Sequence, residues 1–132
     1  MMDAQPVGLT NWHKFVKERD MQALADALAE YVLFHSPALW KAKEGKAAAI
    51  LYVSCAARVL EDFTIQRQFV SDNAVALEFS ARVGELSVKG VDIFQFNDAG
   101  QIANFEVMVR PASGLQALSA AIAQQLEAVK PQ

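Results

Sequence analysis

The chain has little of what membrane, secreted and nucleic-acid-binding proteins depend on. No apolar run approaches the roughly 18 residues of a membrane span, no cluster of Lys and Arg occurs, and Cys55 is the single cysteine. A net charge of −3 argues against nucleic acid as a partner, because phosphate binding needs clustered positive charge. One cysteine excludes an internal disulfide, and the apolar residues around Cys55 predict a buried thiol. Residues 1–6 do not have the pattern of a signal peptide, so we expect a cytoplasmic protein without a membrane partner.

What the chain does have is an abundance of apolar side chains. Hydrophobic residues make up 53% of the 132 residues, against about 45–50% in an average domain. No repeat, linker or low-complexity segment divides the sequence, so we expect one domain over residues 1–132. The apolar excess suggests an internal pocket or a subunit interface in addition to a core.

Capping residues and apolar spacing predict four helices. Thr10 and Asp20 are expected to cap two short helices, Gly45 precedes a long helix over residues 46–60, and Ser113 is expected to cap a terminal helix. The terminal helix carries one apolar stripe that must dock on the rest of the fold. The stripe consists of Leu115, Leu118, Ile122, Leu126 and Val129.

Between and after these helices the residue pattern predicts β-strands. Residues 31–36 form a short β-prone run that ends at Pro37, which we interpret as an edge strand. Later segments alternate between apolar and polar residues and are expected to pair as antiparallel strands over residues 63–70, 74–83, 88–97 and 101–110. The predicted fold class is α+β, with helices first and a mainly antiparallel sheet after them.

Asp92 is the sharpest feature of these strands. Alternation places its carboxyl group on the same sheet face as Val88, Phe94 and Phe96. Burying an ionised, unpaired carboxylate costs several kcal/mol, so Asp92 should be paired, hydrogen-bonded or protonated. A structural network and a functional site both remain open at this point.

Two segments carry a resemblance to a known family. They are Phe34-His35-Ser36-Pro37, followed by Gly45, and residues 90–102, Gly-Val-Asp-Ile-Phe-Gln-Phe-Asn-Asp-Ala-Gly-Gln-Ile. Together with the order of elements over about residues 9–110, they resemble the nuclear transport factor 2-like superfamily. That superfamily includes SnoaL-like polyketide cyclases, ketosteroid isomerases and limonene epoxide hydrolases.

The resemblance implies a cystatin-like cone, in which three N-terminal helices pack inside a strongly curved mixed sheet, here with an extra C-terminal helix. The cone would hold a small, largely apolar or polycyclic molecule. The resemblance also implies a homodimer formed through the outer face of the sheet, where we expect Val91, Ile93 and Met108. The extra helix could then cover the mouth of the cone.

By its place in the motif, Asp92 matches the aspartic acid that stays protonated in ketosteroid isomerases and donates a hydrogen bond to the developing enolate. Ser36 stands where those enzymes have a proton-shuttling aspartate, and a hydroxyl group cannot shuttle a proton between carbons. Trp12 aligns with the tyrosine that completes their oxyanion hole. Classical ketosteroid isomerase activity is therefore not expected.

Two further residues are candidates for the site. In addition to Asp92, His35 is a candidate catalytic residue, as a base in the pocket region. Alternation turns it outward, however, unless the strand is bulged before Pro37. Arg67 shares a predicted face with apolar residues and could pair with Asp92 or with a ligand carboxylate, although a bulge would turn it to solvent. The predicted ligand-binding residues are Trp12, Phe34, Ser36, Arg67, Phe94 and Phe105. No metal-ligand spacing or glycine-rich phosphate loop occurs, so we expect neither a metal nor a cofactor.

Three functions are compatible with these features. The first is a non-catalytic module that binds a small apolar molecule, with Asp92 fixing its orientation. The second is a cofactor-free acid/base enzyme of isomerase, cyclase or hydrolase type that uses Asp92. The third is a scaffold whose own side chains fill the cone and whose purpose is dimerisation. Fold alone does not choose among them.

Overall fold

A computed structural model describes residues 5–129 of the chain, as four helices and six strands. In chain order these elements are α1 (Val7–Glu18), α2 (Met21–Ala27), β1 (Leu28–His35), β2 (Lys43–Glu44), α3 (Lys46–Val59), β3 (Glu61–Ser71), β4 (Ala74–Val83), β5 (Leu86–Phe96), β6 (Ile102–Arg110) and α4 (Ala112–Val129). The predicted α+β class and the extra C-terminal helix are confirmed. Among residues 5–129, no helix is both long enough and apolar enough to cross a membrane.

The six strands form one curved, mixed sheet in the order β2-β1-β6-β5-β4-β3. Every neighbouring pair is antiparallel except β1 and β6, which run parallel. The prediction that β1 is an edge strand was wrong, because the two-residue strand β2 pairs with Leu33 and Phe34 on its other side. A strand of two residues has too little pattern to be predicted from sequence.

The helix starts confirm one predicted cap and correct two. The Asp20 side chain accepts a hydrogen bond from the backbone N–H of Ala23 at 3.1 Å, as a cap of α2 should. Thr10 and Ser113 instead lie inside their helices, since α1 begins after Pro6 and α4 begins after Pro111. At the start of α1 the Pro6 carbonyl oxygen accepts hydrogen bonds from the backbone N–H groups of Leu9 and Thr10, and no side chain among residues 5–129 caps this helix.

The predicted alternation of the strands is confirmed by burial. In β4 the inward side chains are Val75, Leu77, Phe79 and Ala81, and all four are buried. In β5 the even-numbered positions face inward, and Asp92 is buried among them. This inner face packs against α1, α2 and α3 and forms the main hydrophobic core.

The outer face of the same sheet carries the odd-numbered residues of β5 and the even-numbered residues of β6 from Asn104 onward. Val91 pairs with Met108 there, and Met108 is about half exposed. Ile93 lies two residues along the same strand and is half-buried. Dimerisation through this face stays a prediction.

Helix α4 builds a second, smaller core with α3. Cys55, Leu118 and Ile122 are each no more than 3% exposed and pack together, so the predicted buried thiol is confirmed. Gly114 lets the start of α4 approach strand β5, because a Cβ atom at that position would lie 2.5 Å from Val88 Cγ1. The α4 stripe is therefore part of the packed structure, although the Val129 side chain lies outside the described residues.

Candidate functional site

An internal cavity of about 60 Å³ lies between the inner face of the sheet and helices α1, α3 and α4. Its wall is almost entirely apolar and aromatic. The lining residues include Trp12, Arg19, Tyr52, Asp92, Phe105 and Leu118. A mainly apolar cavity with a few polar groups is the usual architecture of a small-molecule site.

Strand β5 places the Asp92 carboxyl group in this wall, opposite Leu77 of β4 and Val107 of β6. The side chain is 5% exposed, and burial raises the pKa of Asp92 to about 8. No other group in residues 5–129 contributes to this shift through a charge or a hydrogen bond. At pH 7 the carboxyl group is therefore mainly protonated and can donate a hydrogen bond.

The neighbouring glycine explains how an aromatic ring reaches the wall beside Asp92. A Cβ atom at Gly90 would lie 2.5 Å from the ring of Phe79 and 2.5 Å from the backbone oxygen of Met108. A side chain at this position would therefore push Phe79 or strand β6 away. The glycine keeps the wall next to Asp92 compact and apolar.

Trp12 contributes the second polar group of the cavity from helix α1. Its ring is held by edge contacts to Phe94 and Phe105, with centroids 5.2 and 5.3 Å apart. The indole Nε1 is the one buried side-chain nitrogen or oxygen of residues 5–129 without a hydrogen-bond partner. A buried donor without a partner lowers the stability of the folded chain by about 1–3 kcal/mol. An acceptor atom of a bound molecule would remove this cost.

Tyr52 of α3 is a wall residue that the sequence analysis missed. Its ring lies 4.8 Å from that of Phe34, and burial raises the pKa of Tyr52 to about 12, so the phenol stays protonated. The sequence contains a pattern that could have predicted this position. Tyr52 lies four residues before Ala56 on an apolar helix face, and residues at that spacing lie on the same side of a helix. Together with Asp92 and Trp12, Tyr52 is thus a third uncharged wall side chain that can donate a hydrogen bond at neutral pH.

Of the predicted aromatic ligand-binding residues, Trp12, Phe34 and Phe105 line the cavity. Phe94 is fully buried behind them, with its ring centroid 4.7 Å from that of Phe105. Its role in the structure is to support the Trp12 and Phe105 rings. The structure therefore brings all four predicted aromatic residues to one cluster beside Asp92.

His35 and Ser36 do not reach the cavity. Because Phe34 faces inward, strand alternation turns His35 to the outer face, where its Nε2 lies 2.9 Å from Asn104 Oδ1. The Ser36 hydroxyl oxygen accepts a hydrogen bond at 3.2 Å from the backbone N–H of Leu39 and so closes the turn after β1. His35, the candidate base, is thus on the opposite side of the sheet from Asp92, as strand alternation indicates.

Arg67 is also outside the cavity. A register shift between Ile65 and Arg67 turns the guanidinium group to the outer face, where Nη2 lies 2.9 Å from Glu78 Oε2. This ion pair holds the pKa of Glu78 below its usual value. The predicted pairing of Arg67 with Asp92 is not formed, because the bulge reverses the face that simple alternation assigns.

The wall offers no second acid or base near neutrality. Within the described residues, Asp92 is the one acidic side chain that lines the cavity, and no histidine lines it. No cluster of three or more His, Cys, Asp or Glu side chains in residues 5–129 is arranged to hold a metal ion. What the arrangement can do is donate hydrogen bonds to an acceptor in an apolar setting.

Comparisons with known proteins agree with this fold. The chain is 39% identical to a steroid delta-isomerase from Pseudomonas aeruginosa, whose crystal structure matches with a TM-score of 0.91 over 96% of this chain and 95% of that chain. It is 29% identical to an uncharacterised bacterial protein with a cystatin-like fold from Silicibacter pomeroyi, with a TM-score of 0.87 over 92% of this chain and 86% of that one.

A more distant structure shows the fold alone. It is a protein of ketosteroid isomerase-like fold from Catenulispora acidiphila, at 14% identity and a TM-score of 0.63, over 89% of this chain and 95% of that one. No curated protein sequence matches the chain. The sequence pattern of the SnoaL-like domain family matches residues 9–105. The chain therefore belongs to the SnoaL-like domain family and has the nuclear transport factor 2-like fold.

Proposed function

We propose that the chain binds a small, largely apolar molecule that has a hydrogen-bond acceptor, such as a carbonyl oxygen. This acceptor receives a hydrogen bond from the protonated Asp92 carboxyl group. The observation that carries this proposal is the Asp92 carboxyl group itself, which is 5% exposed and lies in the wall of an apolar cavity. A protein scaffold with no ligand would gain stability from an apolar residue at this position. A ligand acceptor gives the buried acid a function.

The chemistry of the wall selects the polar end of the ligand. A protonated carboxyl group, an indole N–H and a phenol can each donate a hydrogen bond, and the indole can do nothing else. A carbonyl oxygen has two lone pairs and can accept from two donors at once. A ligand ammonium group would find no acceptor of comparable strength there while Asp92 stays protonated.

The volume of the cavity limits the size of the ligand. Its roughly 60 Å³ is less than half of the engineered cavity of about 150 Å³ that holds benzene. A compact molecule with one ring already requires movement of wall side chains such as Leu118, and a polycyclic molecule requires much more. We therefore favour a compact ligand over a polycyclic one.

The second candidate is an acid/base enzyme, and the pKa of Asp92 near 8 favours it, because such an acid can give and regain a proton near neutral pH. The 39% identity to a protein described as a steroid delta-isomerase also supports a carbonyl compound as the ligand. Against catalysis stands Ser36, which lies outside the cavity, so the wall contains no separate base.

The binding proposal is tested with acetophenone, a compact aromatic ketone. We expect the ¹³C signal of the Asp92 carboxyl group to titrate near pH 8 in the free protein and at higher pH with acetophenone bound, because the ketone interacts with the protonated form. Asp92→Asn assigns the signal, and Glu78→Gln is the matched control on the outer face. Titration of Asp92 near its ordinary value of 3.8 would contradict the proposal.

The same ligand separates binding from catalysis. An acid/base enzyme would exchange the methyl hydrogens of acetophenone for deuterium in D₂O, since the enol forms by loss of one of those protons and returns with a deuteron. We expect bound acetophenone to exchange no faster than in buffer. Exchange that the wild type accelerates and Asp92→Asn does not would establish the second candidate instead.

A further inference from the structure

One wall residue of the cavity differs from all the others in exposure and charge. Arg19 is exposed, whereas every other residue that lines the cavity is buried or half-buried. Its guanidinium carbon lies 6.0 Å from the centroid of the Phe15 ring, which is 2% exposed and also lines the cavity. Arg19 therefore marks the place where the apolar cavity meets solvent.

The guanidinium group has no acidic partner in the part of the chain that the structure describes. The adjacent carboxylate, Asp20, lies 3.6 Å from Lys14 Nζ instead and caps helix α2. Among the residues that line the cavity, Arg19 is the one cation. A planar guanidinium group with free donors is suited to a carboxylate, which it can bind with two parallel hydrogen bonds.

The backbone fixes Arg19 at the C-terminal end of α1. Arg19 follows α1 in the left-handed conformation, with φ 57° and ψ 35°, and its N–H bonds the Phe15 carbonyl oxygen at 2.7 Å. Glycine is the preferred residue at such a helix end, because a side chain is disfavoured there. The conformation places Arg19 directly after the last turn of α1, where the helix dipole also favours a positive charge.

We infer that the ligand of this cavity is an amphipathic acid, with a carboxylate that pairs with Arg19 at the mouth and a neutral acceptor that reaches Asp92 inside. The inference rests on the proposed binding function and adds the substrate class. The two ends of the site differ in what they require. The exposed end selects a negative charge, and the buried end selects a neutral oxygen.

Matched pairs of test ligands check the inference. We would measure the binding of 4-acetylbenzoate and 4-acetylphenylacetate by calorimetry, each against its amide, which has nearly the same shape but no charge. We expect the better-fitting acid to bind the wild type about two- to fivefold more tightly than its amide, a range set by an ion pair that solvent partly screens. Raising the salt concentration should reduce this preference and leave amide binding unchanged.

Variants at the end of α1 assign the preference to Arg19. Arg19→Gln should abolish the preference for the acid, so that the acid and its amide bind this variant about equally. Arg19→Lys should keep a reduced preference, because the charge remains but the paired geometry is lost. Lys17→Gln removes the same charge from an exposed position of the same helix that does not line the cavity, and it should behave as the wild type.

The possible results distinguish this inference from the proposed function. An acid preference that disappears in Arg19→Gln and persists in Lys17→Gln supports the inference. Equal binding of acid and amide to the wild type overturns the inference and leaves the proposed function standing. Absence of binding for all four compounds at millimolar concentration counts against both. An acid preference that survives in Arg19→Gln overturns the assignment to this residue.

Discussion

Two carboxylic acids on neighbouring strands show how strongly the two faces of the sheet differ. Glu78 of β4 pairs with Val91, and Asp92 of β5 pairs with Leu77, so the two acids lie one register position apart on opposite faces. Arg67 holds the pKa of Glu78 below its usual value, whereas burial raises the pKa of Asp92 to about 8. The face on which an acid lies decides its protonation state.

The faces also differ in how their polar groups are satisfied. On the outer face, Glu78 contacts both Arg67 and Lys89, and His35 contacts Asn104. On the inner face, the Trp12 indole N–H has no partner within the described residues. The pKa of Asp92 is raised by burial, without a contribution from neighbouring charges or hydrogen bonds of those residues. Polar groups of the outer face find partners on the same face, whereas the Trp12 indole N–H of the inner face has none within the described residues.

The largest expected effect comes from opening the inner face to water. Phe105→Ala removes a ring that is 1% exposed and should lower the free energy of unfolding by about 3–5 kcal/mol, measured by urea denaturation. If the variant stays folded, water reaching Asp92 should lower the pKa of that residue toward 3.8. Met108→Ala, on the exposed face of the same strand, is the control and should cost far less.

Replacing the buried acid should stabilise the protein in a pH-dependent way. The pKa of Asp92 is about 8 in the folded chain and near 3.8 when unfolded, so between these values only the folded state holds the proton. Stability therefore falls as pH rises through this range. Asp92→Asn should raise the free energy of unfolding by about 1–4 kcal/mol at pH 8 and by little at pH 4. If the gain in the free energy of unfolding does not change with pH, burial does not shift the pKa of Asp92.

A smaller effect is expected from removing the second donor of the inner face. Trp12→Phe keeps an aromatic ring but deletes the indole N–H that has no partner within the described residues. We expect acetophenone to bind about fivefold more weakly, in line with the loss of one hydrogen bond of about 1 kcal/mol. Calorimetry measures the change, and Phe15→Leu tests whether loss of ring volume alone gives the same result. Unchanged affinity in Trp12→Phe would mean that the indole N–H does not contact the ligand.

The smallest effect is expected on the outer face. Glu78→Gln removes an acid whose pKa is lowered in the folded chain, so its contribution to stability is present above the unfolded pKa and lost as pH falls through the folded value. The variant should be slightly less stable than the wild type at pH 7, and the difference should be smaller at pH 3. Thermal unfolding at both pH values checks this, and acetophenone affinity should not change.

Local pattern was sufficient for much of the fold and for the central residue of the site. The alternation of β4 and β5 predicted which side chains are buried, because successive residues of a strand must face opposite sides. The same rule turned His35 outward. Prediction failed where a local rule is broken, as at the β3 bulge that reverses Arg67 and at the two-residue strand β2.

Sequence by itself therefore determined that Asp92 lies inside the sheet, because its neighbours in β5 leave no other face for it. Only the tertiary structure decided what surrounds the acid, since the wall joins side chains from segments far apart in the chain. Arg19 at the end of α1 and Tyr52 in the middle of α3 acquire their places at the cavity through that packing. Periodicity describes one element at a time, whereas a site is formed by the contacts between elements.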